Sequence, residues 1–291
     1  RYGSEVQIQA SLGDRNSLSG EYFKLLEPSQ SWFATSRLVV ENQAVNVYRP
    51  SGFKLAGYDL TYGLAALGGG YQLGRVGEVR LQLERGQGQA VLKNGVAIPK
   101  TIDLDIGRVV ATAGIETLDS AFFPTRGQRI NLRWVEGFSG LGDNADYQTV
   151  AATALSTFSA GRHSVIGLLA GGSSLDGVTP LDSLYHLGGP FSLGGYQRNE
   201  LTGSTFASGQ LVYRYRLSDG SAKTLGSKLY VGASLQSGQV WTRQKDFALD
   251  DLRYAGTLYI GADTAFGPTF LAFGSSDDGR RAVYLFIGRP F

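Results

Sequence analysis

Two stretches come close to the turn that a serine hydrolase needs, and both miss it. A serine hydroxyl is a poor nucleophile until a base takes its proton and a sharp Gly-x-Ser-x-Gly turn exposes it. Gly137-Phe138-Ser139-Gly140-Leu141 and Gly232-Ala233-Ser234-Leu235-Gln236 each lack the last glycine. His163 beside Ser164 suggests a serine–histidine esterase built into a wall of strands. His163 follows Gly161-Arg162, however, in a predicted tight turn where a solvated histidine is the simpler account. His186 is the only other histidine and cysteine is absent, too few ligands for a histidine or thiolate metal centre. Asp103 with Asp105, and Asp277 with Asp278, raise calcium or glycosidase chemistry. The first pair instead reads as one face of a strand, turned with Arg80, Glu84, Arg133, Arg214 and Arg216 into a wet interior. Gly68-Gly69-Gly70 lacks phosphate-loop spacing and suits strand curvature and close backbone contact. These residues point to no catalytic centre, no metal and no cofactor in this chain.

What would position such residues follows from composition. The 291 residues are 42% hydrophobic and 18% charged, with 27 basic against 25 acidic side chains. A net charge of +2 offers no basic face for nucleic acid. The 15 tyrosines, 15 phenylalanines and 3 tryptophans are too many aromatics for a disordered chain. Methionine is absent and the chain opens Arg1-Tyr2-Gly3, which is expected of a fragment or a processed product. The longest apolar stretch, 165–170, is far short of the ~20 residues of a membrane-spanning helix. Strands that cross a membrane carry no such hydropathy signal.

Period-two alternation dominates. Val79, Leu81 and Leu83 alternate with Arg80, Gln82 and Glu84; Ile130, Leu132 and Trp134 with Asn131 and Arg133; Leu211, Tyr213, Tyr215 and Leu217 with Arg214 and Arg216. Three features favour a barrel in lipid over a sandwich. Segments such as 128–137, 146–160, 204–217 and 227–241 reach the ~9–11 residues of a tilted crossing, whereas ordinary strands have ~5–6. Aromatics stand near segment ends, at Trp32-Phe33, Phe122-Phe123, Trp241 and Phe266, as interfacial girdles would. Tight turns at 28–31, 49–52, 124–127, 160–163 and 267–268 contrast with looser loops at 143–144, 244–251 and 275–280 and a far longer one at 173–203. The reading is all-β, a transmembrane antiparallel up-and-down β-barrel filling 1–291, with about fourteen strands. They fall at 3–12, 18–27, 32–48, 53–66, 76–87, 101–118, 128–137, 146–160, 163–173, 204–217, 227–241, 252–266, 267–275 and 281–291. The last ends on Phe291, sharing a face with Val283, Leu285 and Ile287, as outer-membrane barrels commonly do; Arg289 departs from that pattern.

Two stretches carry a family resemblance. Asp119, Phe123, Pro124 and Gly127, in Leu-Asp-Ser-Ala-Phe-Phe-Pro-Thr-Arg-Gly at 118–127, resemble the Asp…Phe-Pro-Thr-x-Gly periplasmic turn of bacterial surface-antigen barrels. That superfamily holds the outer-membrane assembly and two-partner secretion proteins. Leu-Gly-Gly-Pro-Phe-Ser-Leu-Gly-Gly-Tyr-Gln-Arg-Asn-Glu-Leu-Thr-Gly at 187–203 is similar to its sixth extracellular loop. The version is most like that of barrels fused behind patatin-like phospholipases, the type Vd autotransporters, which 71–80 also fits.

The resemblance implies a Gram-negative outer-membrane anchor or translocator, not an enzyme itself, with any lipase centre upstream of Arg1. Its partners would be membrane lipids, the barrel assembly machinery during insertion, and the patatin-like domain of the same polypeptide. It implies sixteen strands, so that a first hairpin lies upstream of Arg1 or strands are merged between Trp32 and Leu67. It also implies that the loop at 174–203 folds into the lumen, where an Arg-Gly-aromatic tip pairs with an acid on the wall. Gly195 and Tyr196 match the tip, but Gly194 stands at the arginine position and Gln236 at the wall acid. The expectation is a latch replaced as a unit by packing and neutral hydrogen bonds, with Tyr196 near Gln236 and Arg198 finding a lumenal acid. A standalone diffusion pore and an assembly or secretion factor with periplasmic domains are the alternatives.

Overall fold

The computed structural model describes residues 3–13, 15–48, 54–95, 99–220, 228–264 and 267–288. The strands are β1 (Ser4–Ser11), β2 (Arg15–Leu25), β3 (Trp32–Tyr48), β4 (Lys54–Gln72), β5 (Gly77–Gly95), β6 (Thr101–Glu116), β7 (Gly127–Gly137), β8 (Tyr147–Ala160), β9 (His163–Gly177), β10 (Tyr185–Leu187), β11 (Leu201–Gly203), β12 (Thr205–Asp219), β13 (Lys228–Trp241), β14 (Arg253–Thr264), β15 (Gly267–Ser276) and β16 (Arg281–Ile287). All but β10 and β11 form one 14-stranded antiparallel meander in chain order, and those two pair as a small hairpin inside the β9–β12 connection. The expected up-and-down architecture and strand number therefore hold among the described residues. β3 and β4 run unbroken and pair with each other, so no strands are merged there. No hydrogen-bonded pair among the described residues joins β1 to β16.

Successive connections alternate between the two ends of the wall, and the longest, 178–204, lies at the second of them. The connections 26–31, 73–76, 117–126 and 161–162 share one end, while 138–146, 178–204, 242–252 and 277–280 share the other. The expected turn at 49–52 lies outside the described residues. β9 runs on to Gly177, so the long loop starts at 178, later than the sequence suggested.

Alternation sets the two faces of the wall, but its meaning changes along β5. Val79, Leu81 and Leu83 are exposed on the outer face, and Arg85, Gln87 and Gln89 continue that face. An aliphatic outer face that turns polar marks the edge of the lipid. Beyond it the inner face becomes the apolar one. Val45, Tyr58, Leu60, Ala90, Leu104 and Ile106 form a buried cluster there. Asp103 and Asp105 therefore face outward, contrary to the expectation of a lumenal pair: Leu104 and Ile106 hold the inner positions, and Asp105 Oδ1 accepts from Gln87. Past the bilayer, water lies outside the wall and the packed core inside.

The aromatic girdle is also redistributed. Trp32 and Tyr71 meet edge-on at 5.1 Å on the outer face of the turn end, and Phe122 is exposed. Phe33 and Phe123 are buried instead, and Trp241 is covered by Phe247 at 4.6 Å. Strand parity sends Phe33 inward from Trp32. Phe266 lies outside the described residues. At Gly68 and Gly70 a Cβ would come within 2.2 Å and 2.1 Å of the carbonyls of Leu81 and Val79, the close backbone contact expected of that glycine run.

Candidate functional site in the barrel lumen

The long loop enters the barrel and lays its tip on the β13–β16 wall. The Gly194 N–H donates to Gln236 Oε1 at 2.5 Å, and Gln236 Nε2 donates to the Pro190 carbonyl at 2.7 Å. A Cβ at Gly194 would lie 2.4 Å from Thr257 Oγ1 and 3.0 Å from the Gly256 carbonyl, so only glycine brings the main chain this close. Gly195 has φ +90° and packs on β15; its N–H donates to the Tyr284 hydroxyl at 2.9 Å. Tyr284 in turn donates to the Tyr196 carbonyl at 2.5 Å. Gly194, Gly195, Tyr196 and Gln236 thus converge through neutral hydrogen bonds and packing.

Tyr196 is fully buried, and charge gathers around its hydroxyl. It donates to Asp278 at 2.7 Å and accepts from Arg253 at 2.6 Å, while Arg280 lies 4.6 Å over the ring. Burial and the Asp278 carboxylate push the Tyr196 phenol up to about 12. Burial alone would raise Asp278, but bonds from Ser276, Tyr196 and Arg280 outweigh it and hold the carboxyl at about 2. Arg198 does not supply the cation: it is exposed and lies in the turn that follows the tip, where Asn199 has φ +56°. Arg280, from the β15–β16 loop, pairs with Glu200 and Asp278 instead. Asp277 and Asp278 therefore serve as anchors: Asp277 accepts from the Tyr254 N–H.

The base of the same loop is clamped to the opposite wall by buried charge, with the acid on the loop. Arg108 donates to Glu84 at 2.7 Å, to Asp182 at 2.7 Å and to Ser183 at 3.1 Å. All three charged side chains are under 10% exposed. Leu181 packs on the apolar cluster next to them. The sequence held a signal for this clamp. Arg108 follows Leu104 and Ile106 at the same parity, and an arginine among inward apolar positions requires an anion. In the loop, His186 bonds Thr202 at 2.9 Å, and burial with the Arg15 charge pushes it down to about 4.

From the turn end, the 117–126 connection sends a second element into the lumen. Asp119 accepts from the Thr125 N–H at 2.8 Å, the Thr125 hydroxyl at 2.5 Å and the Arg126 N–H at 3.3 Å. Burial acts against its charge, but these bonds prevail and hold the carboxyl below its ordinary value. Gly127, with φ +105°, passes so close to Thr117 that a Cβ would sit 2.2 Å from its carbonyl. The turn projects Phe123 inward to stack on Tyr230 at 4.3 Å, while the Pro124 carbonyl accepts from Arg214 at 2.7 Å. Ser164 is buried against Ser159 and Arg214, whereas His163 points to the other face and bonds Tyr213 at 2.7 Å. Adjacent strand residues face opposite ways, which separates this pair.

A family model, that of the Omp85 superfamily domain, matches residues 3–291. The chain belongs to the Omp85 superfamily. Among solved structures, this Omp85 barrel is similar to BamA from Haemophilus ducreyi lacking POTRA domains 1–3. The TM-score is 0.73 at 14% identity, over 98% of this chain and 65% of that one. CdiB from Escherichia coli gives 0.65 at 11%, over 93% and 52%, and CdiB from Acinetobacter baumannii 0.58 at 13%, over 92% and 49%. The chain thus spans about two thirds of the first and half of the others. No curated protein matches it. As an Omp85 barrel it resides in the Gram-negative outer membrane. Phe291, expected as the terminal signal, and Arg289, the departure from its pattern, lie outside the described residues.

Proposed function

We propose that this Omp85 barrel anchors and exports an upstream patatin-like phospholipase of the same polypeptide, and that residues 178–204 close its lumen at rest. The observation that carries the plug is the loop's attachment to two walls, at Gln236 through Gly194 and at Arg108 through Asp182. The patatin reading is supported by the 187–203 and 71–80 stretches. Membrane lipids and the barrel assembly machinery are its partners during insertion, and neither a cofactor nor nucleic acid is part of this reading.

Planar-bilayer conductance tests the plug. The intact barrel should stay closed, and deletion of 180–202 should open a steady pore; equal conductance would overturn the reading. Phospholipase activity of the parent protein, abolished by replacing a serine upstream of Arg1, tests the fused enzyme. The likeness to BamA and CdiB favours a second reading, an assembly or secretion factor. It predicts that loss of the protein depletes other outer-membrane or exported proteins.

A further inference from the structure

The plug leaves room on the β7–β12 side. A cavity of about 320 Å³ lies between the loop and that wall, lined by apolar residues such as Leu155, Leu168 and Phe206 and by the polar Arg129, Thr153, Ser192, Ser208 and Gln210. The volume is at the small end of the ~300–1,000 Å³ typical of ligand sites. Gln210 is only 7% exposed, and neither its amide oxygen nor its amide nitrogen has a hydrogen-bond partner.

Gln210 sits directly across the β12–β13 ladder from Gln236. Gln236 shows what a lumenal primary amide does here. Its oxygen takes a main-chain N–H, from Gly194, and its nitrogen gives to a main-chain carbonyl, that of Pro190. One side-chain amide thereby holds a strand of backbone without reading its side chains. Gln210 carries the same donor and acceptor in the lining of the cavity, both buried and without a hydrogen-bond partner. The apolar residues around it accept side chains of varied shape.

We infer that this cavity is a sequence-tolerant binding site for an extended peptide main chain, held by Gln210 as Gln236 holds the loop. The inference rests on the translocator reading for its purpose, since a chain crossing the lumen on the side away from the plug would meet it.

The test is titration of the intact barrel, labelled with ¹⁵N-glutamine in detergent micelles, with N-acetyl-Gly-Leu-Gly-amide. An analogue in which an ester oxygen replaces the leucine N–H serves as comparison. The Gln210 side-chain resonance, assigned by its loss in Gln210→Leu, should shift saturably with the amide. Binding should weaken by about tenfold with the ester, since loss of one hydrogen bond of ~1.4 kcal/mol is a factor of ten. No saturable shift up to about 10 mM, where binding would be weaker than the millimolar range, overturns the site. So does equal affinity for amide and ester, a comparison that needs no variant to fold. Peptide binding without conductance in the loop-deleted barrel would overturn the translocator reading and leave the site. Conductance without binding would overturn the site alone.

Discussion

Phe123 and Phe191 reach the same ring from opposite ends of the barrel: each lies 5.6 Å, centroid to centroid, from Phe270. Phe123 comes from the 117–126 connection and Phe191 from the 178–204 loop. A hydrophobic cluster that also holds Leu155, Ile166, Val212, Tyr230, Tyr259 and Ala272 closes around them. The two elements therefore meet inside the barrel on a residue that belongs to the wall.

Phe270→Ala should weaken both contacts at once. Removing a fully buried phenylalanine costs about 3–5 kcal/mol. Thermal unfolding in detergent should show the loss, and bilayer recordings should show brief openings absent from the parent. A closed, equally stable variant would mean that the two elements are held independently of Phe270.

Arg108→Ala should destabilise by about 3–5 kcal/mol, because it strands two buried carboxylates. The triple replacement Glu84→Leu, Arg108→Met, Asp182→Leu should restore most of this, since an ion triad exchanged for apolar groups of similar volume is often neutral. Denaturant titration of the single and triple variants decides it. A triple variant as unstable as the single would show that the charges themselves, and not their pairing, hold the loop.

At the tip, Gly194→Ala should cost about 1–3 kcal/mol by overpacking against Thr257 and the Gly256 carbonyl. Gln236→Glu should also destabilise, by about 1–3 kcal/mol, because the Pro190 carbonyl loses its donor. Adding Gln236→Glu to Gly194→Arg should therefore give no rescue. This reverses the expectation from the family's charged latch. The main chain, not a side chain at 194, occupies the place where an arginine would have to pass. Recovery of more than half the loss in the double variant would restore the ionic alternative.

Two loop groups set the response to acid, with windows on either side of pH 4. His186 is held neutral at about 4 against an ordinary 6.5, so the unfolded or released state binds more protons between those values. Its contribution is complete above pH 6.5 and is lost as pH falls toward 4. Asp278, at about 2 against 3.8, keeps its contribution above 3.8 and loses it as pH falls toward 2. Protease sensitivity of the 178–204 segment should rise in two steps, and His186→Gln should remove the upper one. A single step near pH 3 in the parent would assign no role to His186.

The wall was legible in the sequence because alternation, turn residues and strand length are local signals, and β3, β7, β8 and β13 fall within a residue or two of where they were expected. The tip was half legible: Gly194, Gly195, Tyr196 and Gln236 meet, but the choice of Arg280 over Arg198 depends on how the β15–β16 loop folds over the tip. Asp103 and Asp105 were misassigned because alternation alone does not say which side of a wall is wet. That depends on where the lipid ends, which β5 shows only between Leu83 and Arg85. The Arg108–Asp182 pair joins residues 74 apart through a lumen, a distance no local pattern encodes.

β5 carries its last lipid-side aliphatic at Leu83 yet continues to Gly95, roughly 40 Å of further strand at about 3.3 Å per residue. β15 and β16 have only 10 and 7 residues in all. The rim of the barrel is accordingly slanted: the β3–β6 flank stands as a parapet beyond the edge of the lipid, while the β15–β16 flank ends close to it. On the translocator reading proposed above, a chain leaving the lumen would be turned by that parapet toward the low side, along the membrane plane.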